Sequence, residues 1–450
     1  MDMKKEEDTN INLELQIDSV VKKFLEKSKD KEIQIISHFD TDGITSATIM
    51  IQTLKKLDKK FSVKIVKNLE KEIIYELPKN KIILFLDLAS GSLEHITKSG
   101  LQDVFIIDHH EITQTIPKEI NIINPELDKK QKMSGSCLTY LFCKHINSEN
   151  KELAKLAILG MIGDMLEKEI DKLNNGILNE GEVKRKRGLL SYPSTRPLNR
   201  TLEFCSNPYI PEVTGNAKGV LELLREIGLN PKDGKYKNLL ELNEEEMSKL
   251  ITAILLRNPE IKNEKIVGDI FLVKFFNKLE DARELSAMIN ACSRLGRSDI
   301  AIQFCMEIPK AKKEAESVHI KYKQFIISGL KVASEVEKIE GQGFVIINAK
   351  NRVKDTIIGT IASILSKSSL YEEGTIIITM AYYDNKIKVS SRGVGTSGKN
   401  VRQILDNVIK IIGGEVGGHE FAAGCMFDKN KEQEFINILK KNLEIALVKI

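Results

Sequence analysis

Seven side chains able to hold a hard metal ion stand at or just past the ends of short apolar runs in the first quarter of the chain. They are His38, Asp40 and Asp42 in SHFDTDG, Asp87 in FLDLASG, and Asp108, His109 and His110 in IIDHH. Carboxylates mixed with imidazoles suit Mn²⁺ or Mg²⁺, whereas zinc would favour thiolate or more imidazole. The six cysteines (137, 143, 205, 292, 305 and 425) form no C-x-x-C pair and no zinc-ligand spacing, so buried reduced thiols are expected. Read as an extended segment, HFDTD places His38, Asp40 and Asp42 on one side. A carboxylate such as Asp87 can bridge two cations. Two cations about 3.5–4 Å apart activate a water and stabilise the leaving oxygen in phosphoryl hydrolysis. Taken singly, each Asp is better read as a cap or turn former, and Asp42 before Gly43 could cap the next helix. Their joint occurrence makes the site. Asp164, in LGMIGDM at the end of an apolar helix, can fold back onto the same edge.

These residues need a sheet to gather them. Residues 33–37, 62–66, 81–87 and 104–108 read as strands, and 43–57 and 92–100 as helices between them, with a helix at 11–27 ahead. The strands are almost wholly apolar, which suits a parallel sheet covered on both faces. In such a sheet, ligands bind where the loops leave the carboxyl ends of the strands. Helices near 136–147 and 152–163 close this domain.

Further along, 171–265 is less regular. KRKR (184–187) and SYPSTRPLNR (191–200) read as an exposed loop, and 217–257 as mainly helical. A second α/β pattern follows: strand 343–348, helix 355–366, strands 375–381 and 386–391, helix 399–411, a glycine-rich turn at 413–424 and a last helix at 431–446. The predicted fold class is α/β: a parallel-sheet domain (1–170), a mainly helical connecting module (171–265) and a last part (266–450) that joins a helical segment around 279–297 to a smaller C-terminal α/β domain. At roughly 150 residues per domain, 450 residues hold this many. No apolar run reaches the ~18–20 residues of a membrane-spanning helix, and the charged start lacks a signal-peptide core, so a cytoplasmic protein is expected. A net charge of +4 neither indicates nor excludes a nucleic-acid partner.

A helix read over 279–297 (LEDARELSAMINACSRLGR) has two faces. At about 100° per residue, Arg283, Asn290 and Arg294 fall within about 40° of one another, opposite an apolar stripe of Leu285, Met288, Ile289, Cys292 and Leu295. The polar stripe is either a solvated face or a phosphate clamp, and composition alone favours the solvated face.

HFDTDG, FLDLASG, DHH and GMIGD occur here in the order and context of the DHH phosphoesterase superfamily. LEDARELSAMINACSRLGR resembles the Asn–Arg helix segment of RecJ-like nucleases, and SSRG followed by GGEVGGHEFAAG resembles the DHH-associated domain. The chain looks most like the archaeal RecJ-like nucleases, including the GINS-associated nuclease, and the short His-x-Asp spacing fits that branch. The resemblance implies two Mn²⁺ per active site, with Mg²⁺ as a substitute. His38 and Asp40 would hold one, and Asp42, His109 and Asp164 the other, with Asp87 bridging. Asp108 would orient the histidine pair, and His110 would face the scissile phosphate. Arg283, Asn290, Arg294, Ser391, Arg392, Gly417, Gly418 and His419 would hold the strand. The implied activity is hydrolysis of phosphodiester bonds in single-stranded DNA or RNA from an end, in replication or repair. Two other readings are a phosphoesterase for oligoribonucleotides or cyclic dinucleotides, and a replisome scaffold bound to GINS and the replicative helicase.

Overall fold

The structure is a computed structural model, and it describes residues 13–445 except 128–130, 169, 206, 207, 209, 260–265, 369 and 396. The first stretch contains α1 (Leu13–Lys27), β1 (Ile33–His38), α2 (Thr41–Lys56), β2 (Phe61–Val66), α3 (Lys71–Tyr75), β3 (Ile82–Leu86), α4 (Leu93–Ser99), β4 (Val104–Ile107), β5 (Ile120–Ile123), α5 (Gly135–Ile146), α6 (Ala154–Gly163) and α7 (Lys172–Glu180). The middle holds β6 (Lys184–Leu189), α8 (Leu198–Glu203), α9 (Ala217–Glu226) and α10 (Glu244–Arg257). Then come β7 (Val267–Phe275), β8 (Lys278–Asp281), α11 (Ala282–Arg294), α12 (Ser298–Cys305) and α13 (Pro309–Glu335). The chain ends with β9 (Lys338–Gly341), β10 (Phe344–Asn348), α14 (Asp355–Ser366), β11 (Ile376–Tyr383), β12 (Lys386–Gly393), α15 (Val401–Ile412), β13 (Glu415–His419), β14 (Ala422–Asp428) and α16 (Glu432–Ile445).

The described residues up to 185, together with 271–319, form one compact unit. Its sheet runs β2-β1-β3-β4-β5, with all pairs parallel. Alternate strand residues face opposite layers, as a period of two requires. Ile33, Ile35, Leu84, Leu86, Phe105 and Ile107 pack with α1, α2, α5 and α6, while Ile36, Ile83, Phe85, Val104 and Ile106 pack with Ile74 of α3 and Leu93 and Ile96 of α4. The strand order reverses beside β1, so the switch point of the sheet lies where β1 and β3 end.

Residues 186–270 and 320–450 form the second unit. Its middle part is helical around Leu202, Leu223, Leu224, Leu250 and Ile254. Its C-terminal part is a mixed sheet in the order β13-β14-β12-β11-β10-β9, in which only β10 and β11 are parallel. Helix α14 lies over β11 and β12, and residues of α15 and α16 pack on the opposite layer. No helix among the described residues is long and apolar enough to cross a membrane. All six cysteines are buried.

Four local expectations change. HFDTD is not one extended segment: β1 stops at His38, and α2 begins at Thr41 because the Asp40 carboxylate caps it, accepting from the Gly43 N–H at 3.0 Å. KRKR lies on β6 rather than in a loop; Lys186 donates to the Leu240 carbonyl and Arg185 to Asn175, so these two basic side chains have local partners. The glycine-rich 413–424 segment forms most of a hairpin, β13–β14. The helix read from 279 starts at Ala282, because Lys278–Asp281 pair with β7.

Candidate metal centre

His38 is the last residue of β1, and the chain must turn at once to start α2. A Cβ on Gly43 would lie 2.2 Å from the His38 carbonyl oxygen, so this turn requires glycine. The turn puts Asp42 in the first helical turn, fully buried, with its carboxylate on the N-terminus of α5. There it accepts from the N–H groups of Gly135 at 2.6 Å and Ser136 at 3.0 Å. Unpaired N–H groups and the positive end of a helix favour a carboxylate there. Gly160 of α6 closes the same corner; a Cβ on it would sit 2.4 Å from an Asp42 oxygen and 2.1 Å from Ser136 Oγ. Asp87 follows β3 with a left-handed backbone, φ 58°, and is 1 % exposed. That conformation costs an L-residue roughly 1–2 kcal/mol and turns the carboxylate back over the sheet edge. Asp164 ends α6.

These elements bring the six expected ligands together. His38 Nδ1 lies 2.9 Å from Asp40 Oδ2 and 3.4 Å from Asp87 Oδ2. His109 Nε2 lies 3.2 Å from Asp87 Oδ1, 3.3 Å from Asp164 Oδ2 and 3.9 Å from Asp42 Oδ2. Two groups of converging donors result, His38–Asp40–Asp87 and Asp42–His109–Asp164, with Asp87 reaching toward both; His110 forms a further group with Asp87 and His109.

Despite this crowding, His38 Nδ1, both oxygens of Asp87 and Asp164 Oδ2 are buried without a hydrogen-bond partner. Burial and the charges of Asp42 and Asp40 push the Asp87 carboxyl well above its usual range, and burial with Asp42 and Asp87 does the same to Asp164. His38 moves up because Asp40 and Asp87 outweigh the effect of burial, and His109 moves up chiefly through Asp164 and Asp42. Buried acceptors without a hydrogen bond and mutually repelling carboxylates are costly. Divalent cations relieve both penalties, and oxygen and imidazole donors without thiolate fit Mn²⁺ or Mg²⁺.

Asp108 is committed elsewhere. Fully buried, it accepts from the backbone N–H groups of Ser90 (2.9 Å), His109 (2.8 Å) and His110 (3.3 Å), and lies 2.7 Å from His110 Nδ1. Burial opposes its ionisation, but these bonds and the two imidazoles hold it well below the usual carboxylate range. Asn124 braces the turn by donating to the His110 carbonyl and to Ser90 Oγ.

In α11, Arg283 is buried and forked onto Asp281, with Nε at 3.2 Å and Nη2 at 3.0 Å. Asn290 and Arg294 are half-buried, and Arg294 Nε donates to Asn290 Oδ1 at 3.2 Å. The helix is pinned to the site through Thr41, whose hydroxyl donates to the Ser286 carbonyl at 3.0 Å.

In the second unit, Arg392, Ala422 and His419 fall in one cross-strand row, and Ser391, Ala423 and Gly418 in the next. Ser391 is buried and His419 exposed. Arg392 donates to Ser363 Oγ at 2.9 Å and the Ser391 carbonyl at 2.8 Å. Gly418 needs its glycine, having φ 117° and the Ala422 carbonyl 2.4 Å from where a Cβ would be, whereas Gly417 has open space.

Sequence reasoning missed the N-terminus of α5, Ser90, Asn124 and Phe39. The first had a signal: Ser134 before an apolar run reads as a helix cap, and its Oγ does accept from the Cys137 N–H. Ser90 and Asn124 had none, because isolated polar residues after strands are common.

Comparison with known proteins agrees with this geometry. Residues 32–162 match the DHH family N-terminal domain, 193–266 the DHH-CID domain and 331–444 the DHHA1 domain. An uncharacterized protein of Methanocaldococcus jannaschii is 30% identical over 422 residues, covering 90% of this chain and 91% of its own. The crystal structure of CDC45 from Entamoeba histolytica superposes with a TM-score of 0.68 at 11% identity, covering 95% of this chain and 99% of that one. That of exonuclease RecJ bound to manganese gives 0.58 at 17%, covering 95% and 93%. With DHH, DHH-CID and DHHA1 domains in sequence on a fold shared with RecJ, the chain belongs to the DHH superfamily.

Proposed function

We propose that this protein is a metal-dependent exonuclease that hydrolyses phosphodiester bonds of single-stranded nucleic acid from an end. The observation that carries the reading is the convergence of His38, Asp40, Asp42, Asp87, His109 and Asp164, in which buried atoms of His38, Asp87 and Asp164 make no hydrogen bond and face one another only as close ion pairs. A chain that only bound other proteins would have no use for so costly a cluster. The fold shared with the manganese-bound exonuclease RecJ supports it.

His38 and Asp40 would hold one Mn²⁺, and Asp42, His109 and Asp164 the other, with Asp87 between them. Bound divalent cations supply an activated water and neutralise charge gathering on phosphate oxygens. Asp108 would fix the His110 ring through Nδ1, leaving Nε2 for the phosphate. In the metal-free chain burial lowers the His110 pKa, but the ionised Asp108 carboxylate outweighs it and raises it. Asn290 and Arg294 would hold the strand. Arg283, with its guanidinium on Asp281, would anchor the helix that carries them. Ser391, Arg392, Gly417, Gly418 and His419 would grip the backbone in the second unit.

The test is a pair of single-stranded 20-mers, DNA and RNA, labelled at either end and incubated with Mn²⁺ or Mg²⁺. A ladder of shortened products from one end is expected, and a 20-mer should be cut in preference to a dinucleotide. No cleavage with either metal, or preference for the dinucleotide, rejects the reading. A second role, docking to a replication complex that contains GINS, is favoured by the likeness to CDC45. The module at 171–265 is its candidate surface, and buried thiols agree with a cytoplasmic setting.

A further inference from the structure

Phe39 stands between two of the candidate ligands, His38 and Asp40, yet its ring has no metal or proton chemistry to perform. Its surroundings are specific. The guanidinium carbon of Arg294 lies 5.6 Å from the ring centroid, and the His38 ring meets it edge-on at 5.1 Å and 82°. Arg294 Nε is taken by Asn290 Oδ1 at 3.2 Å. Among the described residues Arg294 has no other hydrogen bond or ion pair, which leaves its terminal nitrogens as a pair of donors.

Each contact fixes a different freedom. His38 sets the tilt of the phenyl ring, the ring face attracts the cation, and Asn290 sets its roll. A half-buried arginine otherwise samples many rotamers and gives up that freedom when it binds an anion; one already held in place loses less. A planar guanidinium with two free nitrogens matches the paired oxygens of a phosphate.

We propose that Phe39 is a positioning residue that presets Arg294 as the contact for the phosphate next to the scissile one. An aromatic side chain in the metal-binding loop thereby helps set the preference for a strand over a dinucleotide. The proposal rests on the nuclease reading above. A dinucleotide with a single phosphate has nothing to place at this contact, so Phe39 should matter only for longer substrates.

The experiment compares wild type, Phe39→Leu, Phe39→Tyr, Arg294→Ala and the Phe39→Leu/Arg294→Ala double variant on a single-stranded 20-mer and a single-phosphate dinucleotide, with Mn²⁺ affinity measured by calorimetry. Phe39→Leu should raise KM for the 20-mer about fivefold with kcat within about twofold, the size of one exposed cation–π contact. Its KM for the dinucleotide and its Mn²⁺ affinity should be those of wild type. Phe39→Tyr should restore the 20-mer KM, and the double variant should be no worse than Arg294→Ala alone. Additive losses, an equal shift on the dinucleotide, or weakened Mn²⁺ binding would overturn the proposal, the last because Phe39 would then act through His38. If wild type cleaves neither substrate, the nuclease reading fails. If wild type cleaves and Phe39→Leu matches it, only the positioning role fails.

Discussion

Asp87 concentrates the conflict between folding and chemistry. It is buried, holds a left-handed backbone, has both oxygens without a hydrogen bond and sits among other carboxylates. Each of these opposes stability, and strain of this kind persists where the surroundings over-determine it. Replacing Asp87 with Ala removes the buried acceptor and the like-charge contact but leaves the backbone strain. Asp87→Ala should therefore abolish Mn²⁺-dependent cleavage while melting, metal-free, no lower than wild type. Appreciable cleavage by this variant contradicts the bridging role, and a melting temperature several degrees lower contradicts the account of its cost.

At the scale of elements, the site is made by ends. Strands β1, β3 and β4 stop in register, and the N-terminus of α5 and the C-terminus of α6 close on the same edge. A tie on the other side of the sheet tests how these elements hold together. Asp103, just before β4, is 5 % exposed; Lys27, at the end of α1, lies 2.7 Å from it and Lys31 bonds its other oxygen. Burial opposes ionisation of Asp103, but the two lysines win and its pKa falls below the ordinary 3.8. A depressed carboxyl stabilises the fold above its unfolded pKa, and that contribution is lost as pH falls through the folded value. Asp103→Asn should thus lower stability near pH 7 by about 1 kcal/mol, since both lysines are half-exposed. The gap between variant and wild type in urea denaturation should close below about pH 3–4. A gap independent of pH would mean that shape, not charge, is what Asn disturbs.

For the whole molecule, the relevant property is that one chain carries both a converging set of candidate metal ligands and, within its second unit, a helical module. The likeness to CDC45 concerns the fold, and an active centre does not compete with a docking role. In the middle module, Leu256 on α10 is a large apolar side chain that is 72 % exposed, and so a position where a docked partner could be tested. The intact chain is expected to retain purified GINS on a column, and Leu256→Glu to reduce retention without changing exonuclease activity. Failure of wild type to retain GINS removes this partner and leaves the nuclease reading in place.

By itself the sequence determined the chemistry on offer and the layers that carry it. Apolar runs of four to six residues alternating with amphipathic stretches specify a covered parallel sheet, and ligands at the ends of those runs specify its edge. Short-range signals carry that much, because strand period and helix period are local properties. Tertiary structure decided the rest. Asp40 became the helix cap and Asp42 the buried carboxylate because Gly43 lets the chain turn against His38 and α5 lends its N–H groups from more than ninety residues away. The glycine-rich 413–424 segment became mostly strands because β12 offered a free edge for pairing, and KRKR joined a sheet beside β7. Arg283 and Arg294 lie on one stripe of one helix, yet Asp281 neutralises the first and Phe39 holds the second. Periodicity assigns a face; the neighbours packed against that face decide which of its charges remain available.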